Sequence, residues 1–328
     1  MPTLMTEKKI SVVIPCLNEV DNIVPMYHRL KEVFVAVTSN YEIIYVDNGS
    51  TDGSVAKYQE ICHQDPAVRV ILMSRNFGSS DMSYSAGTEY ATGDAVVWID
   101  GDLQDPPELI AKFVAKWLEG YEVVYGIRSK RKVNAILGFA YNSFYRLMNR
   151  LSYVHMPLYA GDFCLVDRRV ANVLNQFPER DRFVRGLRAW VGFRQTGIEY
   201  FREERAAGRT TQSLGVYLRV AKKGIISFSY APLTLISNIA LGAMVFTLLA
   251  IFAYPIVAIF LPAPRGFMTL LIIMLFIGSV QFFILAILGE YMARIFEEVK
   301  QRPKYIIKEI LNPKPNGRNG TSAKNGKR

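Results

Sequence analysis

The stretch WIDGDLQDPPE places two carboxylates, Asp100 and Asp102, on either side of a glycine directly after the apolar run AVVWI. Aspartate oxygens are hard donors. Mg²⁺ or Mn²⁺ held by one or two carboxylates together with substrate phosphates is a common way of neutralising a diphosphate. Two further apolar runs end on similar residues: VVIPCLNE on Glu19, and IIYVDNGSTDGS on Asp47, Asn48 and Asp52. Carboxylates at the carboxyl ends of several strands of an open α/β sheet meet where such sheets bind their ligands. Each Asp or Asn taken singly is also ordinary turn chemistry, bonding to its own backbone. Together the three strand ends point to a site for a phosphorylated ligand bridged by a divalent cation.

Arginines supply the complementary charge. Arg75 and Asn76 open the glycine-containing stretch SRNFGSSDMSYSAG, and Arg182, Arg185 and Arg188 recur at intervals of three in RDRFVRGLRAWVGF. That interval predicts a shared helical face, on which arginine forks could take phosphate oxygens bidentately; a solvated basic face is the alternative. Arg202, Arg205 and Arg209 follow, and Asp162 stands in AGDFCLVDRR.

The elements that must position these residues are legible from Ile10 onward. Short β-branched runs, KISVVIP, YEIIYVD, VRVILMS and AVVWID, alternate with longer mixed segments, one of them helical in pattern from about Asn22 to Thr38. That βαβ rhythm, with near-continuous Val and Ile, predicts an α/β domain whose mostly parallel sheet is buried on both faces. No GxGxxG follows the first strand and no GxxxxGK[ST] occurs anywhere. The dinucleotide fingerprint and the P-loop are therefore both missing.

Composition narrows the partners. Among 328 residues three scattered cysteines, Cys16, Cys62 and Cys164, show no CxxC spacing, which argues against disulfides or a zinc site and for a reducing compartment. The formal charge is +10, with the basic residues gathered beside an apolar region and not in an aromatic-studded binding motif. Anionic lipid headgroups, not nucleic acid, are the expected counterpart. The N-terminal MPTLMTEKKI lacks a cleavable signal pattern.

Membrane insertion is expected from the C-terminal part. Two apolar stretches, Leu233 to Phe260 and Phe267 to Leu288, each reach the roughly 20 residues that cross a bilayer as helix. LPAPRG between them has the Pro and Gly content of a tight hairpin, and Pro255 is tolerable inside a span. Arg219, Lys222 and Lys223 precede the pair and Arg294, Lys300, Arg302 and Lys304 follow it, against Arg265 alone in the loop. The positive-inside rule then puts both ends in the cytoplasm. VNAILGFAYNSFYRLMNRLSY, within Lys132 to Tyr153, has helical apolar spacing and suits either a membrane surface or core packing. The closing NPKPNGRNGTSAKNGKR lacks the apolar content to fold.

In this order the three strand-end motifs resemble the nucleotide-sugar-binding half of an inverting family 2 glycosyltransferase, over roughly Ile10 to Ala207. The resemblance implies a GT-A fold, a Rossmann-like mixed sheet, followed by two C-terminal transmembrane helices. It makes Pro15 and Glu19 first-strand nucleotide contacts, Asp47 the carboxylate for nucleobase or ribose, and Arg75 part of a donor-side loop. Asp102 becomes the metal-binding member of the DxD, with Asp100 beside it on the donor and Gln104 continuing the motif. The chain departs from the family's common DDGS in carrying Asn48.

Asp162 resembles the acceptor-side carboxylate of polyprenyl-phosphate transferases, although that motif commonly has Arg where this chain has Cys164. Arg182, Arg185 and Arg188 are candidates to supply the lost phosphate contact. Arg205 and Arg209 fall where the family carries a basic loop near donor and acceptor phosphates, here departing from the usual sequence at TTQS. LGEYMARIFEEVKQRPKYII resembles the C-terminal signature of two-span polyprenyl-phosphate sugar transferases, including bactoprenol glucosyltransferases.

The resemblance thus implies Asp162 and Asp102 as catalytic residues, Mg²⁺ or Mn²⁺ as cofactor, and a nucleotide sugar and a polyprenyl phosphate as substrates. UDP-glucose with undecaprenyl phosphate is the expected pair; GDP-mannose with a dolichol-type phosphate, a processive polysaccharide synthase and a non-catalytic membrane scaffold are the rivals. The expected layout is a cytoplasmic GT-A domain over 1–207, an amphipathic juxtamembrane segment over 208–231, a transmembrane hairpin over 232–292 and a basic cytoplasmic tail over 293–328. The chain would be a multi-pass protein of the inner or plasma membrane, with self-association left open.

Overall fold

A computed structural model describes residues 4–128, 160–202, 233–242, 245–246, 249 and 266–312. Strands β1 (Ile10–Cys16), β2 (Tyr41–Asp47), β3 (Val68–Met73) and β4 (Ala95–Trp98) alternate with helices α1 (Val20–Val37), α2 (Ser54–Gln64) and α3 (Ser80–Tyr90). Then follow α4 (Leu109–Leu118), β5 (Val123–Arg128), β6 (Ala160–Asp167), α5 (Arg168–Gln176), α6 (Val184–Trp190) and β7 (Gln195–Tyr200). An apolar helix α7 (Leu233–Gly242), the long α8 (Phe267–Lys300) and β8 (Ile307–Leu311) complete the described elements.

Eight strands form one mixed sheet in the order β7-β5-β6-β4-β1-β2-β3-β8. Its centre, β3-β2-β1-β4, is parallel, whereas β6 runs antiparallel to β4 and β5, and β8 antiparallel to β3. The α/β expectation holds, and the mixed sheet is the GT-A arrangement. α1, α2 and α4 pack on one face, and α3, α5 and α6 are gathered on the other. Val12, Ile14, Ile43 and Tyr45 join Met26, Leu30 and Phe34 of α1 in the main core. Because Val13, Ile44 and Ile71 are equally inaccessible on the alternate positions, both faces are buried and the runs carry no polar alternation.

The register brings the chemistry to one edge. Cys16 pairs with Asp47 and Val13 with Trp98, so the ends of β1, β2 and β4 finish side by side. Cys164 pairs with Trp98, and since β6 runs the other way its starting residues, with Asp162 among them, arrive at that same edge. Only an antiparallel strand could deliver its N-terminal end there.

The chain divides into one unit of Met1–Leu137, Met156–Thr211 and Pro303–Arg328, and a second of Gly138–His155 and Gln212–Arg302. In the second, Phe276–Lys300 is long and apolar enough to cross a membrane, by length and composition. It is the one such helix among the described residues, where the sequence predicts two; α7 is a shorter apolar helix, and most of the remaining first stretch lies outside the described residues. The segment from Lys132 to Tyr153 and the residues beyond Asn312 also lie outside them. α8 continues to Lys300, and β8 lies in the first unit, where it pairs antiparallel with β3.

Candidate active site

The loop after β2 is organised by Asp47. Its Oδ1 accepts from the backbone N–H groups of Gly49 (3.0 Å) and Ser50 (2.9 Å), while Oδ2 is buried without a hydrogen-bond partner among the described residues. Such an unpaired oxygen is a ready acceptor for a ligand's donor. Gly49 sits at φ +85°, and a Cβ there would lie 2.8 Å from the backbone of Arg75 and Asn76, so only glycine lets the two loops meet. Asn48 explains the departure from DDGS: its Oδ1 accepts from Phe77 N–H at 2.9 Å and its Nδ2 donates to Asn76 Oδ1 at 3.2 Å. A carboxylate could make only the first of these bonds. Arg75 is exposed, with its guanidinium 4.2 Å from the Phe77 ring centroid.

Glu19 precedes α1 and its carboxylate accepts from the Asn22 amide, while Val20 N–H donates to Asp52 Oδ2 at 3.0 Å. Pro15 lies on β1 opposite Val46. Gly101 abuts the same strand end: a Cβ there would come within 2.7 Å of Cys16 Sγ and 3.0 Å of the Pro15 carbonyl. The glycine between the two aspartates is thus what allows the DxD turn to close on β1.

Asp100, Asp102 and Asp105 gather around one guanidinium. Arg202 Nη2 lies 3.9 Å from Asp100 and 3.5 Å from Asp102, and its Nε lies 3.2 Å from Asp105. Asp102 Oδ1 accepts from Gln104 N–H at 3.2 Å, which is where Gln104 contributes. Asp100 Oδ1 accepts from the Tyr84 hydroxyl at 2.8 Å. Removal from solvent, and then repulsion from Asp105, Asp162 and Asp102, push the Asp100 carboxyl up to about 7.

Asp162 is treated in the opposite way. Arg185 on α6 grips it with both arms, Nε to Oδ1 at 3.1 Å and Nη2 to Oδ2 at 2.8 Å. Burial alone would raise this carboxyl, but Arg185, with Arg188 and Arg128 behind it, outweighs burial and holds it down at about 2. It is an ionised hydrogen-bond acceptor throughout the physiological range and a weak base.

The shared arginine face is not formed. α6 begins at Val184, so Arg182 stands in the loop before it, 4% exposed, donating to Ser85 Oγ at 3.1 Å and to the Leu174 carbonyl. Arg188 is also buried; it donates to the Gly161 carbonyl at 3.0 Å and lies 5.2 Å from the Tyr125 ring centroid. Of the three, Arg185 faces the Asp162 carboxylate. Arg188 brings its positive charge beside Cys164, the position where the resembling motif carries arginine itself. Arg205 and Arg209 lie outside the described residues.

The sequence reading missed Asp105, Tyr200 and Arg128. Asp105 is fully buried and accepts from the Tyr200 hydroxyl and from Arg128 Nη2, the latter at 3.4 Å. Its place in DLQDPPE, beside Asp102, was the available signal; its partners lie too far along the chain to be paired by spacing.

An all-oxygen donor set fits a hard divalent cation. The Asp100 carboxyl is raised by burial first and then by the neighbouring carboxylates, and a dication would relieve that repulsion. No cage of three or more His, Cys, Asp or Glu ligands occurs among the described residues.

The sequence profile of glycosyl transferase family 2 matches residues 11–174. A Bacillus subtilis (strain 168) protein named as an uncharacterised glycosyltransferase, YkcC, is 41% identical over 91% of this chain and 93% of its own length. The Prophage bactoprenol glucosyl transferase homolog of Escherichia coli (strain K12) is 36% identical over 92% of this chain and 99% of its own. Among solved structures, glucosyl-3-phosphoglycerate synthase from Mycobacterium tuberculosis, in complex with Mn²⁺, UDP-glucose and glycerol 3-phosphate, overlays 67% of this chain and 79% of its own at 20% identity and a TM-score of 0.46. The likenesses in sequence make this chain a glycosyltransferase. The chain belongs to glycosyl transferase family 2.

Proposed function

We propose that the enzyme transfers a hexose, glucose from UDP-glucose, to a polyprenyl phosphate, undecaprenyl phosphate in the first instance, with inversion at the anomeric carbon. The observation that carries this reading is the likeness, along almost the whole of both chains, to proteins named bactoprenol glucosyl transferases. Asp47 and Glu19, with Pro15 and Arg75, would receive the nucleotide, and Asp100, Asp102 and Gln104 the diphosphate end of the donor. Asp102, with Asp100, would hold Mg²⁺ or Mn²⁺, which when bound supplies positive charge to the diphosphate as it leaves.

A lipid phosphate oxygen attacks the anomeric carbon as the bond from that carbon to the diphosphate oxygen breaks. No proton need be removed, because a phosphate monoester with a second pKa of about 6 is mostly a dianion at neutral pH. Asp162, held near 2, suits that chemistry: it fixes the Arg185 guanidinium, whose positive charge would steer the acceptor phosphate. Arg205 and Arg209, and the buried Arg182 indirectly, would extend the basic surround.

We assign the second apolar stretch, in α8, and the first, beginning in α7, to a two-helix hairpin. Catalytic unit and both termini would lie on the cytoplasmic side of an inner or plasma membrane. Anchoring would hold an insoluble acceptor near the site and raise the frequency of productive encounters. Transfer of radiolabelled sugar from UDP-glucose, GDP-mannose and UDP-N-acetylglucosamine to undecaprenyl phosphate, with Mg²⁺ or Mn²⁺, tests the reading. Lipid-extractable product from UDP-glucose, lost in Asp102→Ala, is expected. Product from GDP-mannose alone would move the assignment to a mannosyltransferase, and none from any donor would overturn the lipid acceptor.

A further inference from the structure

Directly after α8 the chain enters the catalytic unit and grips it at several points. Ser74 N–H donates to the Ile306 carbonyl at 2.9 Å, β8 pairs with β3 from Ile307 to Leu311, and Asn312 Nδ2 donates to the Val68 carbonyl at 2.7 Å. Leu311 packs against the main core. These contacts fix the segment to the sheet edge, and two side chains just before β8 reach further.

The Tyr305 hydroxyl donates to the Glu89 carboxylate near the end of α3, and Lys304 Nζ donates to the Phe177 carbonyl at 2.6 Å. Both residues are half-buried. Burial and then the neighbouring Arg182 guanidinium bring the Lys304 ammonium down to about 8, opposed by Glu179, so this is not a freely solvated tail lysine.

What they grip are the supports of Asp100 and Asp162. α3 carries Tyr84, the hydrogen-bond donor to Asp100. Phe177 begins the loop that leads into α6, which carries Arg185, and its ring packs edge-on against Trp190 of α6 with centroids 5.3 Å apart. The two supports are tied to each other as well: Val184 N–H donates to Asp81 Oδ1 at 3.1 Å, and Arg182 donates to Ser85 Oγ. A displacement of either anchor would be passed along a helix and a packed loop to a group in the site.

We propose that residues 303–312 act as a strap that sets the placement of Asp100 and Asp162 together, with Lys304 and Tyr305 as its positioning residues. This rests on the reading of Asp100 as donor-side and Asp162 as acceptor-side. The strap touches neither substrate; it acts through Tyr84 on one side and Arg185 on the other.

The test uses the full-length membrane enzyme carrying Lys304→Met, Tyr305→Phe or both, with Lys304→Arg as the conservative variant and Lys308→Ala as a control on the exposed side of β8. The double variant is expected to lose about ten-fold in kcat, since small misplacements of catalytic groups are costly. Donor KM and Tm should move little, and Lys304→Arg should recover most of the rate. Amide hydrogen exchange should quicken in residues 79–84 and 184–190 of the double variant and stay unchanged in the control. An unchanged kcat, or one falling only with the folded fraction, overturns the proposal, as does unaltered exchange in both segments. If the wild type transfers no sugar, the functional reading fails separately, and exchange still decides whether the strap holds α3 and α6.

Discussion

The two rims of the active site hold their carboxylates in opposite electrostatic states. At the end of β4, Asp100 stands among Asp102, Asp105 and Asp162, and its carboxyl is pushed up to about 7. At the start of β6, Asp162 is clasped by Arg185 and held at about 2. The first rim sets three carboxylates against Arg202, with Arg128 reaching Asp105, which leaves an excess of negative charge that would suit a dication; the second is already neutralised by its own arginine. On the proposed reading, the same residue type would serve as a ligand in one place and as an anchor for a cation in the other.

The largest effect should follow from removing the dication's carboxylate. Asp102→Ala is expected to lower kcat about a thousand-fold, within the range seen when a principal electrostatic stabiliser is deleted. Arg202 would still contact Asp105, so the fold should survive, and circular dichroism and Tm can verify that. Retention of more than a tenth of the rate would remove Asp102 from the metal site.

The acceptor rim should behave as a unit. Arg185→Ala and Asp162→Ala are each expected to cost about a hundred-fold in kcat/KM for the lipid, and the double variant little more than the worse single, because groups sharing one interaction are not additive. A multiplied loss in the double variant would give Asp162 a second duty, such as direct contact with the acceptor.

A smaller effect appears in the pH dependence. With Asp100 near 7, Mn²⁺ binding to the metal-free enzyme should tighten as pH passes upward through about 7, and Asp162→Asn should move that limb to lower pH by deleting a like charge. Stability has the reverse sign at this group. A carboxyl raised above its ordinary value favours the fold at low pH, so its contribution declines as pH rises from about 4 to 7. Asp162, lowered in the fold, contributes above its ordinary value of 3.8 and loses that contribution as pH falls toward 2. Denaturation followed between about pH 2 and 8, in wild type and Asp100→Asn, separates the two, the Asp100 contribution changing above about 4 and that of Asp162 below it.

The donor rim was far more legible in the sequence than the acceptor rim. Strands β1, β2 and β4 are near-continuous apolar runs because both faces are buried, and a functional residue stands at or within three residues of each strand end, so strand and site are read together. Asp162 needed an antiparallel β6 to reach the same edge, and nothing local in AGDFCLVD states the direction of pairing. The three-residue interval of Arg182, Arg185 and Arg188 suggested one helical face, but the helix starts after Arg182, and the outer two arginines turn to buried carbonyls. β8 was hidden for another reason: IIKEIL is short, charged in its middle and placed after an apolar helix, and its strand character comes from the open edge of β3. Asp105, Tyr200 and Arg128 meet only through the tertiary fold.

The subtlest test lies at Asn48, where the donor rim uses an amide although its neighbours use carboxylates. Its Nδ2 bond to Asn76 ties the loop after β2 to the loop after β3, and Asn48→Asp deletes that donor while keeping the acceptor for Phe77 N–H. About 1 kcal/mol of stability should be lost, the usual net value of one such bond. The added charge also lies near Asp47, so metal-dependent UDP binding should weaken by a few-fold if this loop only shapes the nucleotide pocket. Titration calorimetry with UDP and Mn²⁺ distinguishes the alternatives. Tighter binding in Asn48→Asp would mean that the position itself reaches the cation, and the donor rim would then extend from β4 to β2 as a single charged surface.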